Sequence, residues 1–175
     1  MIELSVIRDF VAIFGVIAGF SYYILVLRTQ IQTRKAQLFS TLSKDLSDYD
    51  SWVRNRELMY MEWDDYDDFE KKYGSDTNPI AYAQRYAQWT FSNNLGVMLK
   101  RNLVDEEMVY DSIGSSIIMM WDKFEPIIKE QRVRYMGPNF LEHFEYLIKR
   151  MKHIQEIKEI QWKPPTTSIK FIPDP

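Results

Sequence analysis

The side chains best suited to chemistry in this sequence are the carboxylates of a short acidic run. Within nine residues the run places six acids: Glu62, Asp64, Asp65, Asp67, Asp68 and Glu70. Hard cations such as Ca²⁺ and Mg²⁺ bind carboxylate oxygens, so a metal site is one hypothesis for this segment. A calcium-binding loop that begins at Asp64 needs Gly at its sixth position and Glu at its twelfth, but the sequence has Phe69 and Ser75 there. The pattern favours a solvated acidic face, with weak candidate metal ligands at Asp64, Asp65, Asp67 and Asp68.

Composition excludes most thiol and imidazole chemistry. The 175 residues include no Cys and two His, His143 and His153. The sequence therefore excludes disulfides, thiolate metal sites, Cys nucleophiles and any site that needs several imidazoles. Neither histidine follows a Glu by three residues as in di-iron bundles, and the chain has no Gly-x-Ser-x-Gly motif and no Gly-rich phosphate loop. We expect no catalytic residues and no cofactor.

A long uncharged segment is the most informative feature of the chain. Phe10 to Leu27 contains 18 residues without a charged side chain, and 11 of them are Phe, Val, Ile or Leu. As a helix it is about 27 Å long, close to the thickness of the hydrocarbon core of a bilayer. A buried helix of a small soluble domain usually has a polar face, and none is visible here. We therefore predict a transmembrane helix over residues 10–27.

The residues that flank this segment predict its orientation. Arg28, Arg34 and Lys35 follow it, whereas Arg8 precedes it. Because cytoplasmic flanks carry the excess of Lys and Arg, these three bases are predicted to lie at the cytoplasmic membrane surface. A cleaved signal peptide is the alternative, but acidic residues precede the apolar segment and no small-residue cleavage motif follows it. We predict a single-pass protein of the cytoplasmic (inner) membrane with its N-terminus outside and its C-terminal domain in the cytoplasm.

Two glycines within the predicted span have a spacing that permits close helix packing. Gly15 and Gly19 are four residues apart and so lie on one face of a helix. Small residues at this spacing let two helix backbones approach closely in lipid. We predict that this face packs against another transmembrane helix, either of a second copy or of a partner protein.

The rest of the sequence predicts helices. Apolar residues recur at helical intervals in the segments 28–46, 52–63, 79–103, 106–135 and 140–162, while the polar stretch 64–78 is predicted as a loop with a short helical turn around Phe69. Val53, Leu58 and Met61 are expected to face inward on the second helix. Gly114 is expected to admit a neighbouring helix. Pro126 removes a helical hydrogen bond, so a kink or a break is expected near Lys123.

The predicted fold class is all-α. One N-terminal transmembrane helix continues into a cytoplasmic bundle of about four to five helices, followed by an extended tail that contains Pro164, Pro165, Pro173 and Pro175. The predicted domains are a short extracytoplasmic stub (1–9), the transmembrane helix (10–27), the cytoplasmic helical domain (28–162) and the tail (163–175).

Charge is distributed unevenly along the cytoplasmic part. Residues 48–76 carry ten acids and four bases, whereas residues 123–163 carry nine bases and six acids. One interpretation is that the acidic and basic segments are neighbours, and another is that the bases contact anionic lipid headgroups. Nucleic acid is disfavoured as a partner because the pI is about 5.5. The residues predicted to dock a partner lie on the last helix: Lys149, Arg150, Lys152, Lys158 and Trp162.

With these features the chain resembles an uncharacterised prokaryotic family, catalogued as a domain of unknown function, with one N-terminal transmembrane helix and a small cytoplasmic helical domain. The resemblance is carried by the anchor, by residues 91–132 and by the segment NFLEHFEYL at 139–147. Its motifs are the turn Leu103-Val104-Asp105-Glu106 and a Trp before a Pro-Ile pair, here Trp121 and Pro126-Ile127. These are packing and capping positions, and the resemblance implies no catalytic residues.

Three functions remain as hypotheses. The first is a membrane-anchored helical protein without catalysis of its own, which acts as a protein-interaction module or as an accessory subunit of a membrane complex. Its partners would be the lipid bilayer and either another protein or a second copy. The second is a metal-dependent hydrolase, which requires at least three carboxylates to converge from the set Asp64, Asp65, Asp67, Asp68, Glu106 and Glu107. The third is a membrane-tethered regulatory or defence-type sensor.

Overall fold

The computed structural model describes residues 4–47 and 49–161, and the side chains of residues 8–44 and 49–159. In this part of the chain every regular element is a helix, which confirms the all-α class. The chain divides into two units, residues 1–48 and 49–175.

The first unit is described as one helix, α1 (Leu4–Ser47). The apolar segment and the amphipathic segment after Arg28 are therefore continuous, as the sequence predicts. Apart from half-buried Val26, the side chains of residues 10–27 are exposed. Just beyond them, the Thr29 hydroxyl donates to the Leu25 carbonyl at 3.0 Å, so this polar group is satisfied within the helix.

The second unit begins with two short helices, α2 (Tyr49–Met59) and α3 (Tyr66–Tyr73). Helix α3 is the predicted turn around Phe69, and it begins where the Asp65 carboxylate accepts a hydrogen bond from the backbone N–H of Asp68 at 2.8 Å. Leu58 is fully buried as predicted, but Val53 is exposed, so its predicted inward orientation is wrong. Five residues rotate a helix by about 140°, so the two side chains do not share a face.

Two long helices follow, α4 (Pro79–Lys100) and α5 (Glu106–Gln131). Asn78 caps the first through the Ala81 N–H and Asp105 caps the second through the Met108 N–H, each at 3.0 Å. Of the kink or break expected near Lys123, the break is wrong, since α5 continues through Pro126, and the kink stays a prediction. Phe124 and Ile127 are buried on either side of the proline, and this packing holds the helix together.

A π-helical turn (Arg132–Met136) extends α5 and leads to the last helix, α6 (Glu142–Gln161). Gly137 ends the turn with a φ of 78°, a conformation that suits glycine. At the start of α6, the Asn93 side chain of α4 accepts hydrogen bonds from the backbone N–H groups of His143 and Phe144 at 3.1 and 3.2 Å. Helix α4 thereby satisfies two of the amides that a helix leaves unpaired at its first turn.

Helix α6 packs against both α4 and α5, and the core lies among these three helices. The predicted apolar stripe of α6 is buried at Phe144, Leu147, Met151 and Ile154. It ends at Ile157, which is 42% exposed. The side chain of Ile160 lies outside the described residues.

Two glycines differ in what they do for this packing. A Cβ atom added to Gly96 would lie 1.9 Å from the backbone oxygen of His143, so glycine is required where α4 meets α6. A Cβ added to Gly114 would instead lie 2.6 Å from the ring of Tyr110, one turn earlier on the same helix. The nearest atoms to the missing side chain of Gly114 thus belong to its own helix, and its predicted role in admitting a neighbouring helix stays a prediction.

Candidate functional site

Among the described residues, α1 is the one helix that is long and apolar enough to cross a membrane. None of the residues in its most apolar stretch is buried inside the protein. Phe10 and Phe14 are 71% and 76% exposed. By length and composition, α1 is a candidate membrane span.

The predicted packing face of α1 is open in this chain. A Cβ atom added to Gly15 or Gly19 would have no atom within 4 Å. Of the three bases predicted to lie at the membrane surface, Arg28 and Arg34 are exposed and Lys35 is half-buried. Their predicted roles in helix packing and membrane contact stay predictions.

The acidic run is engaged in local hydrogen bonds. Asp65 caps α3, and the Asp68 carboxylate accepts from Lys72 Nζ at 2.6 Å and from the backbone N–H of Asp64 at 3.1 Å. The bond from Lys72, followed by that from Asp64, holds the pKa of the Asp68 carboxyl below its usual range. The run therefore acts in part as a helix cap.

An ion pair between Asp67 and Arg134 joins the acidic run to the end of α5. The Oδ1–Nη1 distance is 2.6 Å, and Arg134 also binds Glu130 at 2.7 Å. The Arg134 guanidinium lies 4.5 Å from the ring centroid of Tyr66. At this point the acidic and basic segments are neighbours, as one interpretation of the charge distribution predicts.

The carboxylates of the hypothetical hydrolase are not gathered into a metal site. Within the side chains that the structure describes, no group of three or more His, Asp or Glu is placed to hold a metal ion. Glu106, one of the six candidates, instead binds Arg150, with Nη2–Oε2 and Nε–Oε2 distances of 2.7 and 3.0 Å. The convergence that this hydrolase requires is therefore not found among the described residues.

The basic side chains of α6 are paired with carboxylates of the same unit. The pairs are Lys149–Glu145, Arg150–Glu106, Lys152–Asp122 and Lys158–Asp111. Three of the four acids belong to α5, so these pairs connect α6 to α5. The contact with Asp111 raises the pKa of the Lys158 ammonium. Trp162 lies outside the described residues, and partner docking on this surface stays a prediction.

The two histidines occupy different environments. His143 is half-buried at the junction of α4 and α6, and its Nε2 lies 3.5 Å from a carboxylate oxygen of Glu142. His153 is exposed, ten residues or nearly three turns further along α6. They do not form a common site.

A fully buried arginine was not anticipated from the sequence. Arg85 donates through Nη1 to the Tyr73 carbonyl at 3.1 Å, and its guanidinium carbon lies 4.4 Å from the ring centroid of Phe69 and 5.2 Å from that of Trp89. Burial lowers the pKa of Arg85. One sequence pattern could have predicted this burial: Arg85 is four residues from both Ala81 and Trp89. This spacing places Arg85 on the buried face of α4.

A partly buried polar group of Tyr66, Glu70 and Gln131 lies near this arginine. The Glu70 carboxylate, whose charge acts on Arg85, accepts hydrogen bonds from Tyr66 at 3.1 Å and from Gln131 at 3.3 Å. Aromatic faces and this carboxylate offset part of the cost of burying the guanidinium. Because Arg85 is 0% exposed, a dissolved molecule does not reach it in this structure. We assign the group to the packing of α3, α4 and α5.

Of the depressions on the surface of the second unit, two differ in how polar their lining is. One, of about 480 Å³, is bordered by Trp63, Lys72 and Lys123. Its bases are engaged, because Lys72 binds Asp68 and Lys123 donates to the Met61 carbonyl at 2.7 Å. The other, of about 230 Å³, lies between α2 and α5 and is called the α2–α5 groove. Its lining residues are Trp52, Asn55, Arg56, Met59, Ser116 and Met119.

Comparison with known proteins places the chain in a family. No curated protein and no solved structure matches it. The profile of a family described as "Domain of unknown function (DUF4760)" matches residues 10–151, from the start of the apolar segment of α1 to the middle of α6. This match confirms the resemblance to an uncharacterised family. The chain therefore belongs to the DUF4760 family.

Proposed function

We propose that this protein is a single-pass membrane protein whose helical unit binds another protein, as an interaction module or as an accessory subunit of a membrane complex. The observation that carries the proposal is the exposure of the apolar side chains of residues 10–27. Phe, Val, Ile and Leu near the centre of a membrane helix each favour insertion by about 0.3–0.6 kcal/mol. The 11 such residues here therefore favour a bilayer over water.

Anchoring gives the helical unit a physical advantage in binding. A tether confines the unit to a thin layer beside the bilayer, which raises its effective concentration toward other membrane proteins without any new contact. The paired charges and packed core of residues 49–159 suit a stable binding module. No arrangement of catalytic groups among the described residues competes with this proposal.

Membrane insertion is tested by fractionation of cells that express the full chain. We expect the protein to stay in the membrane pellet after alkaline carbonate and high salt, and the double variant Phe14→Arg/Phe20→Arg to leave it, because each arginine at the helix centre costs about 2.5–3.5 kcal/mol. The matched control is Val133→Arg/Tyr135→Arg, which adds the same charges at exposed positions of the second unit. Extraction of the unaltered chain by carbonate would contradict the proposed anchor.

Orientation is tested with single cysteines, because the chain contains none. Ser5→Cys lies before the apolar segment and Ser75→Cys lies in the second unit. With the N-terminus outside, a membrane-impermeant thiol reagent labels the first variant in intact cells and the second only after lysis. The opposite pattern would reverse the orientation. Cleavage of the segment as a signal peptide would remove Ser5 from the mature protein, which mass spectrometry detects.

The partner is sought by native pull-down from solubilised membranes, with identification of stoichiometric proteins. We expect Gly15→Ile/Gly19→Ile to weaken association within the membrane, because large side chains keep the helix backbones apart. The control Ser21→Ile adds a similar side chain on another side of the helix. Unchanged cross-linking of the glycine variant would remove this face as the contact, while leaving the anchor intact.

A further inference from the structure

We draw no further inference here: the strongest candidate, the outward face of α2 that carries the exposed side chains of Tyr49, Trp52 and Val53 beside the α2–α5 groove, is an unpartnered apolar surface patch, and nothing in the described part of the chain shows what covers it.

Discussion

The apolar segment of α1 and the core of the second unit use the same kinds of side chain in opposite ways. Phe10 and Phe14 are mostly exposed, whereas Phe124 and Phe144 are fully buried. Burial of a large apolar side chain contributes about 1.5–3 kcal/mol, so the second unit gains stability from its phenylalanines and α1 gains none from its own within this chain. The same side-chain type therefore stabilises the second unit and is left without apolar contacts in α1.

The charged side chains of α6 differ from the apolar side chains of α1, because they already have partners within the second unit. The four bases of α6 predicted to dock a partner are already paired within the second unit. A paired base has less to gain from a new anionic partner, because the existing contact must first be broken. The difference shows that the number of bases on a helix does not reveal whether those bases are free to bind another molecule.

The largest expected effect comes from truncating one phenylalanine of each region. We expect Phe124→Ala to lower the free energy of unfolding of the second unit by about 3–5 kcal/mol, because it leaves a cavity among packed aromatic rings. Phe124 lies 5.4 Å from Trp89 and 5.3 Å from Trp63 between ring centroids. Denaturant unfolding of the full chain in detergent, followed by tryptophan fluorescence, measures the change.

Phe14→Ala is the matched control for this truncation. The same substitution on α1 is expected to change the unfolding of the second unit by less than about 0.5 kcal/mol, as for surface positions generally. An equal loss in the free energy of unfolding for both variants would show that Phe14 stabilises the second unit as much as Phe124 does.

Two glycines, Gly96 in the second unit and Gly19 on α1, test the same difference between a packed and an open position. We expect Gly96→Ala to destabilise the second unit by about 1–3 kcal/mol, because its Cβ cannot fit without moving α4 away from α6. Alanine favours a helix over glycine by about 1 kcal/mol, so this result has the opposite sign to helix propensity. Gly19→Ala, where space is open, is expected to show no loss. Thermal unfolding followed by circular dichroism compares the two, and a stable Gly96→Ala variant would contradict the close approach of α4 and α6.

The helices could be predicted from local signals in the sequence. Asn78-Pro79 and Asp105 mark helix starts by a mechanism that operates within four residues, and the long uncharged segment needs only counting. Local signals could not predict whether Pro126 breaks α5. Whether a proline breaks a helix depends on the packing of its neighbours, and that packing is made by residues distant in the chain.

The polar groups that organise the interior were not predictable from single segments. The Asn93 side chain caps a helix that begins 49 residues later, and Arg85 is buried by aromatic rings of another helix. Within its own helix, neither residue has a sequence pattern that predicts its partners. Similarly, the sequence of α6 does not show that three of its bases are paired, because their acids lie on α5.

A smaller effect is expected from breaking one of these long-range pairs. Glu106→Gln weakens the contact with Arg150, and we expect a loss of about 1 kcal/mol in the stability of the second unit, typical of a partly exposed charged hydrogen bond. Glu107→Gln, at the next position, changes charge equally and is expected to have a smaller effect. Because salt screens such pairs, the difference between the variants should shrink in 1 M NaCl. A difference that is absent at low salt would show that the pair does not stabilise the unit.

The smallest expected effect is a pH dependence at Glu145. Its carboxylate accepts hydrogen bonds from Lys149 and Arg132, and these bonds lower its pKa from an ordinary value of 4.5. The unfolded chain then binds a proton more readily than the folded one, so the stabilisation is complete above the ordinary value and is lost as pH falls through the lower, folded value. Near neutral pH, we expect Glu145→Gln to lower the free energy of unfolding by up to about 1 kcal/mol, because the pair is partly exposed. In acid, where Glu145 is protonated, we expect the two chains to become equally stable. Exposed Glu156→Gln on the same helix is the control, and a gap that widens as pH falls would mean that Glu145 does not stabilise the fold through its charged form.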